Sequence, residues 1–156
     1  MVKVTYTGFD GSARTGTIVV HRAAAPAVAR AFAKLHAAGF PIRSVKPIEA
    51  FAGSDDASMA ADNTSAFNCR PIAGTTRWSE HSYGRAVDVN PIENPWIHGG
   101  RVDPPAGAAY LDRADARAGM AVRGGVLVTA FAAEGWRWGG DFAGAKDYQH
   151  FSATGR

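Results

Sequence analysis

Trp78-Ser79-Glu80-His81-Ser82-Tyr83-Gly84-Arg85-Ala86-Val87-Asp88-Val89-Asn90-Pro91 is the stretch that decides the fold. It sets His81 seven positions ahead of Asp88, with Gly84 between them and Ala86-Val87-Asp88-Val89 reading as a short buried strand. A second segment near the C-terminus, Lys146-Asp147-Tyr148-Gln149-His150-Phe151, supplies another histidine. Two imidazoles and one carboxylate leave the fourth position of a tetrahedral ion open, which is the donor set of a hydrolytic zinc site rather than a structural one. A carboxylate in an apolar strand is costly to bury unpaired, and a bound cation removes that cost. The other reading of Asp88 is an ion pair with an arginine such as Arg85.

Outward from this stretch, the chain mixes strands and helices. Val2 to Tyr6 and Gly16 to Val20 read as strands joined around the Asp10-Gly11 turn. Ala24 to Ala38 is the clearest helix: Pro26 suits its first turn, Val28, Ala31, Phe32 and Leu35 form one apolar stripe, and Gly39 ends it. Ile42 to Ile48 and Thr64 to Asn68 read as strands, with residues 53 to 63 a loop holding at most one helical turn. Asn90 to Ala109, with Pro91, Pro95, Pro104 and Pro105, is a long surface connection suited to form one wall of a cleft. Val126 to Glu134 reads as a short buried helix, and Arg137-Trp138 with Tyr148 to Ser152 as a final strand pair. No βαβ rhythm is present, so the expected class is α+β with a largely antiparallel sheet.

The totals narrow the function classes. A chain of 156 residues with 46% apolar and 20% charged content fits a single domain with a real core. The net charge of +3 comes from scattered basic residues, not the clustered stripe that nucleic-acid binding requires. One cysteine, Cys69, permits no internal disulfide and excludes a cysteine-based zinc site; beside Phe67 it reads as a small buried residue. No apolar run approaches the roughly 20 residues of a membrane span, and the first residues alternate like a strand and lack a signal-peptide core.

Ser79-x-His81-x-x-Gly84-x-Ala86-x-Asp88 followed by Asp147-x-x-His150 resembles the zinc D-Ala-D-Ala carboxypeptidase and L-Ala-D-Glu endopeptidase family, whose members include bacterial wall enzymes and phage endolysins. The resemblance extends to Asp62 through Arg70 and to Gly135-Trp136-Arg137-Trp138-Gly139-Gly140-Asp141. It implies a small antiparallel sheet flanked by helices, a fold shared with the hedgehog signalling domain, with Zn²⁺ on one sheet face held by His81, Asp88 and His150. It also implies a peptidoglycan stem peptide as substrate, cut at either the L-Ala-D-Glu or the terminal D-Ala-D-Ala bond.

Amide hydrolysis needs a base to take a proton from water and return it to the leaving amine. Asp147, three residues before His150, is the candidate; its other reading is an exposed aspartate beside Lys146, and Asp141 is the rival. Arg70 is the candidate to meet charge on the carbonyl oxygen, a placement the resemblance supports, against a surface ion pair. Ser79 and Trp138 are assigned to substrate binding, though Ser79 reads equally as a turn residue and Trp138 as packing. Of the remaining histidines, His21 and His36 read as ordinary surface or core residues, and His98 as a candidate for the cleft wall. The expected protein is a monomeric, single-domain peptidase of residues 1–156, acting at the bacterial wall or as a phage lysin from the cytoplasm. Its competitor is a zinc-containing binding module of the same fold, which would have no need of Asp147 or Arg70. A wall glycosidase would need a carboxylate pair that no motif singles out.

Overall fold

The computed structural model describes residues 1–72 and 74–155. The chain opens with the antiparallel hairpin β1 (Val2–Thr7) and β2 (Ala13–Ile18), in which Val2 lies opposite Ile18. Helix α1 (Ala25–Ala37) packs on this hairpin through Val28, Ala31, Phe32 and Leu35, the stripe read from the sequence, all essentially without solvent exposure. Its outer face carries Arg30 and Lys34, which pair with Glu134 at 2.7 Å each; such exposed pairs add little to stability.

Two short strands follow, β3 (Ser44–Val45) and, after the helix α2 (Asp55–Ala60), β4 (Asn63–Thr64); they run parallel. The expected strand from Ile42 to Ile48 is thus cut to two residues, because Ile48 already begins a 3₁₀ turn after Pro47. The expected Thr64–Asn68 strand is likewise reduced to β4 and a single bridge from Ser65 to Asp88. Helix α2 is longer than the single turn expected, since the Ser54 hydroxyl accepts from the Ala57 N–H and Asp55 and Asp56 occupy its first turn.

Strand β5 (Ala86–Asp88) carries the central motif. The proline-rich connection that follows is not featureless: it folds into a hairpin of β6 (Trp96–His98) and β7 (Arg101–Asp103) and a 3₁₀ segment, Pro105–Tyr110. Helix α3 (Val126–Ala132) packs on α1, burying Leu127, Ala130 and Phe131, while Val126 stays exposed. The chain closes with β8 (Arg137–Trp138), β9 (Lys146–Asp147) and β10 (His150–Ser152).

The class is α+β as expected, but among the described residues the single small antiparallel sheet is replaced by four short ones. They are β1-β2, the parallel pair β3-β4, and two three-stranded antiparallel sheets ordered β5-β10-β8 and β7-β6-β9. Strands of two or three residues cannot extend into one continuous sheet, and turns and prolines divide them. One core spans the β1-β2 hairpin, α1, α3 and the β5-β10-β8 sheet, with Phe131 stacked on Phe151 at 4.5 Å. Among the described residues no helix is long and apolar enough to cross a membrane.

Candidate metal centre and its cleft

Strand alternation builds the centre. In the antiparallel β5-β10 pair His150 lies directly opposite Asp88, and Phe151 opposite Val87. Successive side chains leave a strand on opposite faces, so Phe151 and Val87 enter the core, where both are fully buried, while His150 and Asp88 share the other face. Ser65 clamps the other edge of β5, exchanging backbone hydrogen bonds with Asp88 at 2.9 and 3.0 Å.

His81 arrives from a 3₁₀ turn, Glu80–Tyr83, whose N-terminus is capped by the Ser79 hydroxyl accepting from the His81 N–H at 3.2 Å. Gly84 closes the turn with φ of 61°. A Cβ there would stand 2.5 Å from the backbone nitrogen of His21, so the position demands glycine twice, by conformation and by space. The His81 Nδ1–H donates to the Ala66 carbonyl at 2.6 Å, which fixes the tautomer and leaves Nε2 as a lone-pair donor.

Donor atoms of three residues then converge. His81 Nε2 lies 3.2 Å from His150 Nδ1 and 3.1 Å from Asp88 Oδ2, and His150 Nδ1 lies 3.3 Å from Asp88 Oδ1. A tetrahedron with bonds of about 2.0–2.1 Å has an edge of about 3.3 Å, so the separations between the three residues are of the size such a site requires. His81, Asp88 and His150 are 2%, 6% and 6% exposed, and lone pairs packed this closely repel unless a cation or protons lie among them. The residues therefore fit a divalent ion with nitrogen and oxygen ligands. Burial alone would raise the Asp88 carboxyl; the charges and hydrogen bonds of His81 and His150 outweigh it and hold the group well below the ordinary carboxylate range. Asp88 does not pair with Arg85, whose side chain is exposed.

The centre opens into a cleft of about 1040 Å³. Asp147 lines it, and its Oδ1 is shielded from solvent with no hydrogen-bond partner among the described residues. Burial pushes this carboxyl up to about 7, opposed by His150 and reinforced by the charge of Asp88. Arg70 also lines the cleft. Its backbone is fastened to the His81 turn, its N–H donating to the Ser82 hydroxyl at 3.0 Å and its carbonyl accepting from the same hydroxyl at 2.8 Å. Its guanidinium is held by Asp55, Nη2 to Oδ2 at 2.8 Å, and its Nε is buried with no hydrogen-bond partner among the described residues.

Asp55 was invisible as a site residue in the sequence, although Ser54 followed by two aspartates is a helix-start signal that could have placed it on an ordered element. Burial raises its carboxyl, with Arg70 opposing, and Asn68 donates to it at 3.0 Å. His98 lines the cleft as well. Trp138 does not: it is 7% exposed, its indole N–H donates to the Tyr148 carbonyl at 2.8 Å, and its ring packs near that of Tyr148. Its strand position turns it into the core, so the substrate-binding assignment for Trp138 gives way to packing. Asp141 lies outside the cleft, paired with Arg123. Cys69, expected to be buried, is exposed, because Asn68 takes the inward position beside it.

A family model described as D-alanyl-D-alanine carboxypeptidase matches residues 73–153, just over half of the chain, a span that contains His81, Asp88, Asp147 and His150. Searches of curated proteins and of solved structures give no match.

Proposed function

The chain belongs to the D-alanyl-D-alanine carboxypeptidase family, and from that premise we propose that it is a zinc-dependent peptidase hydrolysing a peptide bond of peptidoglycan stem peptides. The observation that carries this reading is the convergence of His81, Asp88 and His150 inside a cleft that also holds an unpartnered Asp147 oxygen.

His81 Nε2, His150 Nδ1 and the Asp88 carboxylate would hold the ion. Bound zinc supplies Lewis acidity, polarising the substrate carbonyl and easing deprotonation of water. Asp147 accepts the proton of the attacking water on a carboxylate oxygen and delivers it to the nitrogen of the leaving amine. A carboxyl that burial holds near neutrality can both take and return a proton. Arg70, preset by Asp55, meets the negative charge on the carbonyl oxygen as its carbon becomes tetrahedral. Ser79 orients the His81 turn from the cleft side and offers its hydroxyl to substrate. We assign this activity to one catalytic domain, residues 1–156, working as a monomer at the bacterial wall, reached from outside the cell or, as a phage lysin, from within.

The family description makes the terminal D-Ala-D-Ala bond the first to test, and the L-Ala-D-Glu bond the second. Defined muropeptides incubated with zinc-loaded protein and read by mass spectrometry decide between them. Loss of one D-Ala, abolished by chelator and by Asp147→Ala, supports carboxypeptidase action; release of the peptide after L-Ala supports endopeptidase action. Intact muropeptides throughout would sink the proposal and favour a binding module.

A further inference from the structure

The β7-β6-β9 sheet turns one face into the cleft. Trp96, His98, Arg101, Asp103 and Asp147 all line it, whereas the intervening Ile97, Val102 and Lys146 do not. The register explains this: Trp96 lies opposite both Asp103 and Asp147, and His98 opposite Arg101, so these five share the same side of the pleat. The β6-β7 hairpin is thereby tied to the strand carrying Asp147.

On that face His98 is held in place from two sides. Its Nε2 lies 2.8 Å from Asp103 Oδ2, and its ring stacks on Trp96 with centroids 3.5 Å apart and planes 19° apart. A carboxylate only accepts, so Nε2 carries the proton and Nδ1 remains for another partner; no hydrogen bond to Nδ1 occurs among the described residues. Arg101, cross-strand from His98, touches Asp103 only at 3.5 Å, and its side chain is 73% exposed. The turn between them is Gly99-Gly100, both with positive φ (53° and 79°), a two-residue hairpin connection that keeps the two side chains abreast. None of these side chains belongs to the hydrophobic core, so core packing does not explain a histidine fixed in this way.

We propose that this hairpin is the part of the cleft that reads a free carboxylate of the peptide substrate, through His98 and Arg101, with Asp103 and Trp96 as positioning residues. The inference rests on the peptidase reading in that it takes the occupant of the cleft to be a peptide. Two strand positions separate His98 from the residue opposite Asp147, about 7 Å, which matches one to two residues of extended peptide beyond the bond that Asp147 serves. A carboxylate there identifies the C-terminal residue of a short stem peptide. The Arg101 guanidinium fork, joined by the His98 Nδ1–H when the imidazole carries its second proton, suits a carboxylate in a way that an amide does not.

The test compares a stem pentapeptide ending in free D-Ala with its C-terminal amide, by calorimetric binding to the zinc-loaded full chain carrying Asp147→Asn. The acid is expected to bind more tightly than the amide. Adding His98→Ala is expected to cut that preference about tenfold, and Arg101→Ala several-fold, the size of a lost charge-assisted hydrogen bond. His98→Gln should retain part of it. Arg101 is largely exposed and can be removed without touching the core, so it decides the matter if His98→Ala does not fold. An acid-to-amide ratio unchanged by these substitutions overturns the hairpin proposal alone, provided wild-type protein still cleaves muropeptides. Absence of both binding and cleavage overturns it together with the peptidase reading.

Discussion

Asp88 and Glu93 stand five positions apart and are both almost wholly buried, at 6% and 1% exposure, yet their carboxyls are driven in opposite directions. Burial works against the charged form of each. At Asp88 two imidazoles answer it, and the group stays ionised. At Glu93 the near neighbour is another carboxyl, Asp62; burial first, then Asp62, pushes Glu93 up to about 8. The cation on that side, Arg43, is half exposed and reaches Glu93 only at 3.7 Å, with Phe9 stacked on its guanidinium. The partner, not the depth, separates a carboxylate poised for a metal from one that keeps its proton.

The largest expected effect is at the first cluster. Asp88→Ala is expected to lower muropeptide hydrolysis by about a thousandfold or more, as chelation of the wild type would, because the ion loses a ligand. The same variant should lose the melting shift between zinc-loaded and chelated protein. That shift is worth about 2.7 kcal/mol at a hundredfold excess of metal over Kd, or about 5–10 °C for a chain of this size. A preserved shift in Asp88→Ala would break the assignment of Asp88 as a ligand.

Asp147→Asn comes next. It is expected to lower kcat about a hundredfold to a thousandfold while zinc content and the chelator-sensitive melting shift remain, because Asp147 is outside the ligand triangle. Loss of zinc in this variant, measured by metal analysis, would move it into the ligand set.

Glu93→Gln sharpens the contrast through pH. The folded carboxyl is raised from 4.5 to about 8, so the folded state keeps a proton that the unfolded chain releases. This group therefore lowers unfolding free energy as pH rises between those values, with the penalty complete above the folded pKa. Asp88 has the opposite sign in the metal-free protein: its contribution is present above 3.8 and is lost as pH falls through its lower folded value. Denaturant melts of Glu93→Gln should gain about 1–3 kcal/mol at about pH 9 and nothing at about pH 4, with zinc binding unaltered. A change in zinc affinity would mean that the two clusters are not independent.

Gly84→Ala touches no chemical group and is expected to cost about 2–4 kcal/mol by melting, from left-handed backbone and from a Cβ pressed against the backbone of His21. Because Gly84 sets the turn between His81 and β5, this variant should weaken zinc binding where Glu93→Gln does not. Equal zinc affinity in the two would show that the turn can relax without moving His81.

The candidate ligand triad was legible because two histidines and an aspartate stand in motifs that resemble those of a known zinc peptidase family; the spacing of His81 and Asp88 alone singles out no metal site. The apolar stripe of α1 was equally plain, since Val28, Ala31, Phe32 and Leu35 follow helical spacing. Asp55 was not legible, because its role comes from reaching Arg70 across space. The β6-β7 hairpin was missed although Gly99-Gly100 between Trp96-Ile97-His98 and Arg101-Val102-Asp103 is a hairpin signal; four prolines around it suggested a plain loop. Trp138 and Cys69 were misplaced for one reason: in segments this short, a slip of one residue exchanges inside for outside.

By itself, then, the sequence determined the α+β class, the helix-and-hairpin core and the three candidate ligand residues, because periodicity, donor chemistry and motifs are local properties of the chain. The tertiary structure alone decided that His150 faces Asp88, that Ala66 fixes the tautomer of His81, and that Glu93 shares its site with Asp62 and only a loosely held Arg43. Those outcomes depend on strand register and on partners far away in sequence, and it is they that set which buried carboxyl is charged.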